Sequence, residues 1–241
     1  MIELYTWPTP NGVKIHIMLE ETGLEYNVHP INIQAGDQFD AEYLSFSPNN
    51  KMPAMIDTDG PGGEPISLFE SGAMLIYLGE KTGMFYPTDD RLRYETLCWL
   101  MFQMGGVGPM LGQNHHFRLY AQQMGHEIEY AIDRYTNETK RLYGVIDKRL
   151  ADNEWLAAGQ YTIADMATYP WLRMHERQGM DLNDFPNLKR WFEVVDARPA
   201  SKAGAEILVE YRDKVNDGMD PKEAQKNMFG ATQYASRQFL V

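Results

Sequence analysis

Apolar residues recur with two different periods along this chain, and the change between them marks its organisation. Early in the chain, runs of strand length stand at residues 2–5, 26–33, 52–57 and 66–69, each bounded by turn-forming residues. Between the first two, Ile15, Met18, Leu19 and Thr22 fall at helical spacing, and Gly23 stops the run. Residues 38–45 read as a short irregular helix, 47–50 as a loop and 60–63 as a turn. Residues 70–81 read as a helix with Ala73, Leu75, Ile76 and Leu78 apolar, ending at Gly83. The predicted order is β-α-β-α-β-β-α. A crossover helix implies a parallel first pair, and the short link between the last two strands implies a hairpin. Pro30 points to an edge strand.

After Tyr86-Pro87 the strand pattern disappears. Helices are predicted over 91–104, 130–150, 162–178 and 186–197, with Leu142, Ile146, Met166, Trp171, Leu188 and Trp191 among the inward residues. Gly105-Gly106-Val107-Gly108-Pro109 is expected to bend or break the first of them. Beyond residue 205 the chain is more polar, and 210–225 reads as a peripheral helix or a partly ordered tail. The expected division is an α/β domain over 1–86, an all-α domain over 87–205 and a C-terminal helical extension or tail over 206–241.

Charge and cysteine content narrow the function. With 34 acidic against 22 basic side chains and a formal net charge of −12, the surface lacks the basic footprint that nucleic acids or anionic membranes need. No apolar stretch approaches the ~20 residues of a membrane span. The first residues run directly into a strand pattern, so no signal peptide is expected. One cysteine excludes an internal disulfide framework and any multi-Cys metal centre. A cytoplasmic globular protein is the expectation, and an acidic ligand would need local donors.

Several short motifs carry chemistry, each beside a plainer reading. Met52-Pro53 opens a predicted strand. A cis bond there would present the Met52 backbone to an extended peptide, and a trans edge proline is the alternative. Glu70-Ser71-Gly72 stands where a strand enters a helix. It could hold the ammonium and carboxylate of an amino-acid head, or Ser71 could be a simple N-cap. Thr9-Pro10-Asn11 precedes the first helix, where a thiolate would meet hydroxyl and N–H donors, or where Thr9 caps the helix. Thr162-Ile163-Ala164-Asp165 is a capping box with a folding role. Cys98 is expected to be buried and inert inside a helix. Adjacent His115 and His116 do not face one way on a helix, so a structural turn or a cleft wall is expected there, with no metal. Arg134 is either a solvated helix charge or a partner for a carboxylate.

The order of these motifs resembles the cytosolic glutathione transferases over roughly residues 1–200, and within them the Nu class of disulfide-reductase-like proteins. The resemblance rests on residues 8–12, 47–54, 68–73, 108–117 and 130–135. It implies a thioredoxin-like domain followed by an all-helical domain, a homodimer, and glutathione, reduced or as its disulfide, as the bound peptide. It implies that Met52, before a cis Pro53, pairs with the cysteinyl unit, that Glu70 and Ser71 hold the γ-glutamyl head, and that Thr9 and Asn11 face the sulfur. It places Gln38 and Lys51 near the glycyl end or a second glutathione, and Arg134 at the partner subunit's site.

The turn that meets the sulfur offers Thr9 and Asn11 and no cysteine, so a glutaredoxin-type mechanism is unavailable; Tyr5 lies in the first strand and is not expected to activate the thiol. The expected function is a glutathione-dependent disulfide-bond oxidoreductase that uses glutathione thiols. The alternatives are a transferase or peroxidase acting on electrophiles or hydroperoxides, and a non-enzymatic binding module. Lys14, Lys51 and Arg134 are the cations available to an anionic peptide.

Overall fold

In the computed structural model, which describes residues 1–235, the chain forms two compact units: residues 1–77 with the chain from 203 onward, and residues 78–202. The first is built on a four-stranded sheet in the order β2-β1-β3-β4. Strand β1 (Ile2–Thr6) alternates buried and half-buried residues, as a strand with one face on a core must. It pairs in parallel with β2 (Tyr26–Pro30) and antiparallel with β3 (Ala54–Asp57), which forms the expected hairpin with β4 (Ile66–Phe69). Both β2 and β3 are shorter than their apolar runs. Pro30 ends β2, and Pro53, which cannot donate to a ladder, stays outside β3.

Helix α1 (Pro10–Thr22) is buried continuously from Gly12 to Leu19. Its first turn lies so close to β1 that a Cβ on Gly12 would stand 2.2 Å from the Trp7 carbonyl oxygen and 2.7 Å from Thr6 Oγ1. Gly23, at φ 66°, ends the helix with its N–H on the Leu19 carbonyl. The region predicted as an irregular helix is a 3-10 turn, Asp37–Phe39, followed by α2 (Ala41–Phe46). Helix α3 (Ser71–Thr82) follows β4.

In the second unit, α4 (Asp90–Phe102) and α5 (Gly108–His115) form one helical run that continues to α6 (Ala121–Gln123). Of the bend or break expected at 105–109, the break does not occur. Widened π turns at Gln103–Val107 and His116–Tyr120 carry the helix through, and Pro109 sits in the first turn after one of them. Helices α7 (Glu129–Ala151), α8 (Ile163–Leu172) and α9 (Pro186–Asp196) pack around Leu100, Val107, Leu111, Tyr143, Ile146 and Trp191. Asp165 closes the capping box and also accepts from Leu156 N at 3.0 Å and Trp191 Nε1 at 2.8 Å. His115 and His116 lie on the helical run and not in a turn, while their neighbour Asn114 is a buried hub bonded to Thr139 and the Gln178 carbonyl. Cys98 corrects another expectation: it is exposed, because α4 buries the stripe of Thr96 and Leu100. The chain then forms α10 (Pro199–Glu206), α11 (Val209–Asn216), α12 (Pro221–Phe229) and α13 (Thr232–Ala235). Gly218, at φ 74°, separates the two helices that replace the single one predicted over 210–225.

Candidate functional site

The sheet register gathers the motifs at one end. Tyr5, Ala54 and Phe69 form one cross-strand row, and Thr6 pairs with Pro30. The segments that follow β1 and β4 and that precede β3 therefore emerge side by side, bringing Thr9, Met52 and Ser71 together. Thr9 is the N-cap of α1: its hydroxyl accepts from Gly12 N at 3.4 Å and donates to Met52 Sδ at 3.3 Å. A hydroxyl at this helix end already donates to a sulfur. Asn11 occupies the first turn of the same helix.

The Met52–Pro53 bond is cis, as the resemblance implied. The backbone entering it is braced, because the Lys51 carbonyl accepts from Tyr43 OH at 2.7 Å and from Ser47 Oγ at 3.0 Å. Met52 lies outside the paired registers of β3 and belongs to an apolar cluster with Trp7, Ile31, Tyr43 and Ala54.

Glu70 enters α3 in the left-handed region at φ 70°, which few non-glycine residues adopt. Its carbonyl accepts the first helical bond, from Met74 N, so Glu70 and not Ser71 holds the N-cap position. The Glu70 carboxylate is exposed and accepts from Asn49 Nδ2 at 3.1 Å, a neighbour the sequence did not single out. Ser71 is buried, and Lys14 Nζ donates to its hydroxyl at 3.4 Å. Lys14 is 1% exposed. Burial pushes its ammonium down to about 7, while the charge of Glu70 pulls the other way. Two helix N-termini, a buried cation and an exposed carboxylate thus share one end of the sheet, a set suited to a zwitterionic head. Burial, then Glu42 and Glu3, raise the pKa of Tyr5, and its ring stacks on His29 with the centroids 4.6 Å apart.

Gln38 and Lys51 have partners from the C-terminal helices. Gln38, 2% exposed, donates through Nε2 to the carbonyls of Ile33 at 3.2 Å and Asn227 at 3.3 Å. Lys51 Nζ donates to Gln233 Oε1 at 2.7 Å, and desolvation lowers its pKa. Arg134 belongs to the other unit, exposed on α7 with Glu138 as a charged neighbour. Among the described residues, no group of three or more His, Cys, Asp or Glu is placed to hold a metal ion, and no helix is long and apolar enough to cross a membrane.

Residues 1–80 match the model of the glutathione S-transferase N-terminal domain, and residues 111–199 that of the C-terminal domain. The chain belongs to the glutathione S-transferase family. Within the family it is similar to the disulfide-bond oxidoreductase YfcG of Escherichia coli, 52% identical over 202 residues that cover 83% of this chain and 93% of that protein. It is similar to a glutathione transferase family member of Pseudomonas fluorescens solved with two glutathione bound, at 49% identity and TM-score 0.81, covering 85% of this chain and 92% of that one. A glutathione transferase of Pseudomonas putida, solved with one glutathione disulfide per subunit, matches at 46% identity and TM-score 0.81, over 86% of this chain and 91% of that one.

Proposed function

We propose that this glutathione S-transferase family member is a glutathione-dependent disulfide-bond oxidoreductase whose reacting sulfurs belong to glutathione and not to the protein. The observation that carries the reading is the Thr9 hydroxyl at the N-terminus of α1, which here donates to the thioether of Met52 and stands where a ligand thiolate would meet it, in a chain whose one cysteine is exposed on a helix of the other unit. The likeness to a disulfide-bond oxidoreductase, and to relatives solved with two glutathione or one glutathione disulfide, supports it.

In the reaction, one glutathione thiolate attacks a substrate disulfide. A glutathione mixed disulfide forms, and one substrate thiolate leaves and takes a proton. A second glutathione thiolate attacks the glutathione sulfur of the mixed disulfide and releases the second substrate thiol. Two glutathione thiols are oxidised to glutathione disulfide and one substrate disulfide is reduced. Thr9 and Asn11 stabilise the attacking thiolate together with the N-terminus of α1. Lowering a thiol pKa by about two units takes ~2.7 kcal/mol, within the reach of two hydrogen bonds to a charged acceptor.

The remaining residues bind and orient. The Met52 backbone before Pro53 pairs with the cysteinyl unit. Glu70 accepts from the γ-glutamyl ammonium, while Ser71 and the N-terminus of α3 hold its carboxylate. Gln38 and Lys51 serve the glycyl end. Arg134 closes the site of the partner subunit in a cytoplasmic homodimer, for which Tyr94 and Met101, both exposed on α4, are available interface positions. The oxidant is a small disulfide; an electrophile or organic hydroperoxide is the alternative acceptor.

Replacing the two sulfur-facing groups tests this mechanism. Thr9→Val and Asn11→Ala are expected to lower turnover with hydroxyethyl disulfide at least tenfold, about 1.4 kcal/mol of lost stabilisation each. Thr9→Ser should retain activity, and circular dichroism should show all three folded. Wild-type turnover in both Thr9→Val and Asn11→Ala would remove these residues from the chemistry.

A further inference from the structure

The C-terminal helices lie on the loop that leads from β2 to α2, and their polar contacts converge on the two side chains assigned to the glycyl end. The bonds form a continuous chain. Lys51 Nζ donates to Gln233 Oε1 at 2.7 Å, Gln233 Nε2 donates to the Asn227 carbonyl, and the same carbonyl accepts from Gln38 Nε2. Asn227 Nδ2 donates to the Gln34 carbonyl at 2.8 Å, and Asn50 Nδ2 to the Gln233 carbonyl at 3.5 Å. Nearer the start of the segment, Asn32 donates to Asn216 at 2.9 Å, and Asn216 to Gln34. Leu208 packs on the cluster that contains Trp7 and Met52, and Tyr211 meets Trp7 edge-on at 6.2 Å.

The two halves of the segment are therefore held differently. Residues 208–216 are anchored by apolar packing beside the Met52 loop as well as by amides. The bonds that tie 227 and 233 to Gln34, Gln38 and Asn50 are neutral, and Lys51, a cation among their partners in the described residues, faces an uncharged amide oxygen. A carboxylate brings a full opposite charge to an ammonium, an attraction that a neutral amide oxygen lacks. Gln38 bears the mark of a compromise: its Nε2 is committed to two carbonyls, while its buried Oε1 has no hydrogen-bond partner among the described residues.

We propose that α12 and α13 form an internal rival for the glycyl end of the peptide site, with the Gln233 amide standing on Lys51 where the glycyl carboxylate of glutathione binds. The inference rests on the glutathione reading above. A peptide whose carboxylate reaches Lys51 displaces Gln233, whereas a thiol without that carboxylate leaves the strap in place. The segment thereby sets both the affinity for glutathione and the preference for the full tripeptide.

Two substitutions at Gln233 move the outcome in opposite directions, which loss of structure would not do. Titration calorimetry of the full-length protein is expected to show glutathione binding three- to tenfold tighter in Gln233→Ala, where the rival is removed. Binding should be several-fold weaker in Gln233→Glu, where the rival gains the charge of the ligand. γ-Glutamylcysteine, which lacks the glycyl residue, should bind all three proteins equally. Equal glutathione affinity in all three proteins, or weaker binding in both variants, overturns the rivalry while leaving the glutathione reading standing. Failure of the wild-type protein to bind either peptide overturns both.

Discussion

Lys14 is the residue whose position was least legible before the structure. Ile15, Met18 and Leu19 define one apolar stripe that does not include Lys14, and in the sequence Lys14 stands out only as a cation available to an anionic peptide, with no sign of its burial. The stripe understates the burial of α1, because a segment almost two hundred residues later covers its other side: a Cβ on Gly204 would stand 2.9 Å from Ile17 N. Local sequence marked Thr9, Met52-Pro53 and Glu70-Ser71 as junctions, while the peptide-binding roles given to them came from the family resemblance and not from the junctions themselves. Which of Glu70 and Ser71 caps the helix was not legible, since a left-handed glutamate leaves no sequence signal. Burial holds Lys14 down at about 7, so between there and its unfolded value near 10.5 the unfolded chain binds more protons and stability rises with pH. Lys14→Met should lose that contribution. In urea titrations at pH 7 and pH 9, the stability of the wild type relative to the variant should increase with pH by up to about 1.4 kcal/mol per unit. A difference that stays constant between the two pH values would show that Lys14 is not held near neutrality.

Among the elements, the parallel first pair and the β3–β4 hairpin followed from the sequence, because a crossover helix and a short link leave few topologies open, whereas the antiparallel pairing of β1 with β3 had no local signal. Strand lengths did not follow either, since prolines trimmed β2 and β3 inside runs that look uniformly apolar. At 105–109 glycine and proline signal a bend or a break, and the break is avoided because a π turn offers a way to continue. The contact between α1 and the 203–206 segment depends on a neutral histidine. His16, fully buried, sits between Thr6 Oγ1 at 2.9 Å and the Gly204 carbonyl at 3.0 Å, and desolvation lowers its pKa to about 4. Between about pH 6.5 and 4 the unfolded chain takes up a proton that the folded one refuses, so stability falls as pH falls. The thermal transition of the wild type should drop more steeply from pH 6.5 to pH 4.5 than that of His16→Gln. Parallel profiles would place the acid sensitivity elsewhere.

At the scale of the whole molecule, the α/β and all-α halves were legible because the hydrophobic period itself changes near residue 87. The packing of the C-terminal helices against residues 32–51 was not, because single polar contacts between distant positions have no periodicity to detect. The single cysteine is what ties composition to mechanism: a chain with one exposed thiol cannot run a two-cysteine exchange by itself, and the proposed chemistry does not call on that thiol at all. The decisive measurement is steady-state reduction of hydroxyethyl disulfide by glutathione, with wild-type protein and Cys98→Ser compared at saturating substrates. Equal turnover in the two proteins, well above the rate without enzyme, is the expected result. Loss of turnover in a folded Cys98→Ser protein would contradict the claim that bound glutathione supplies both reacting thiols.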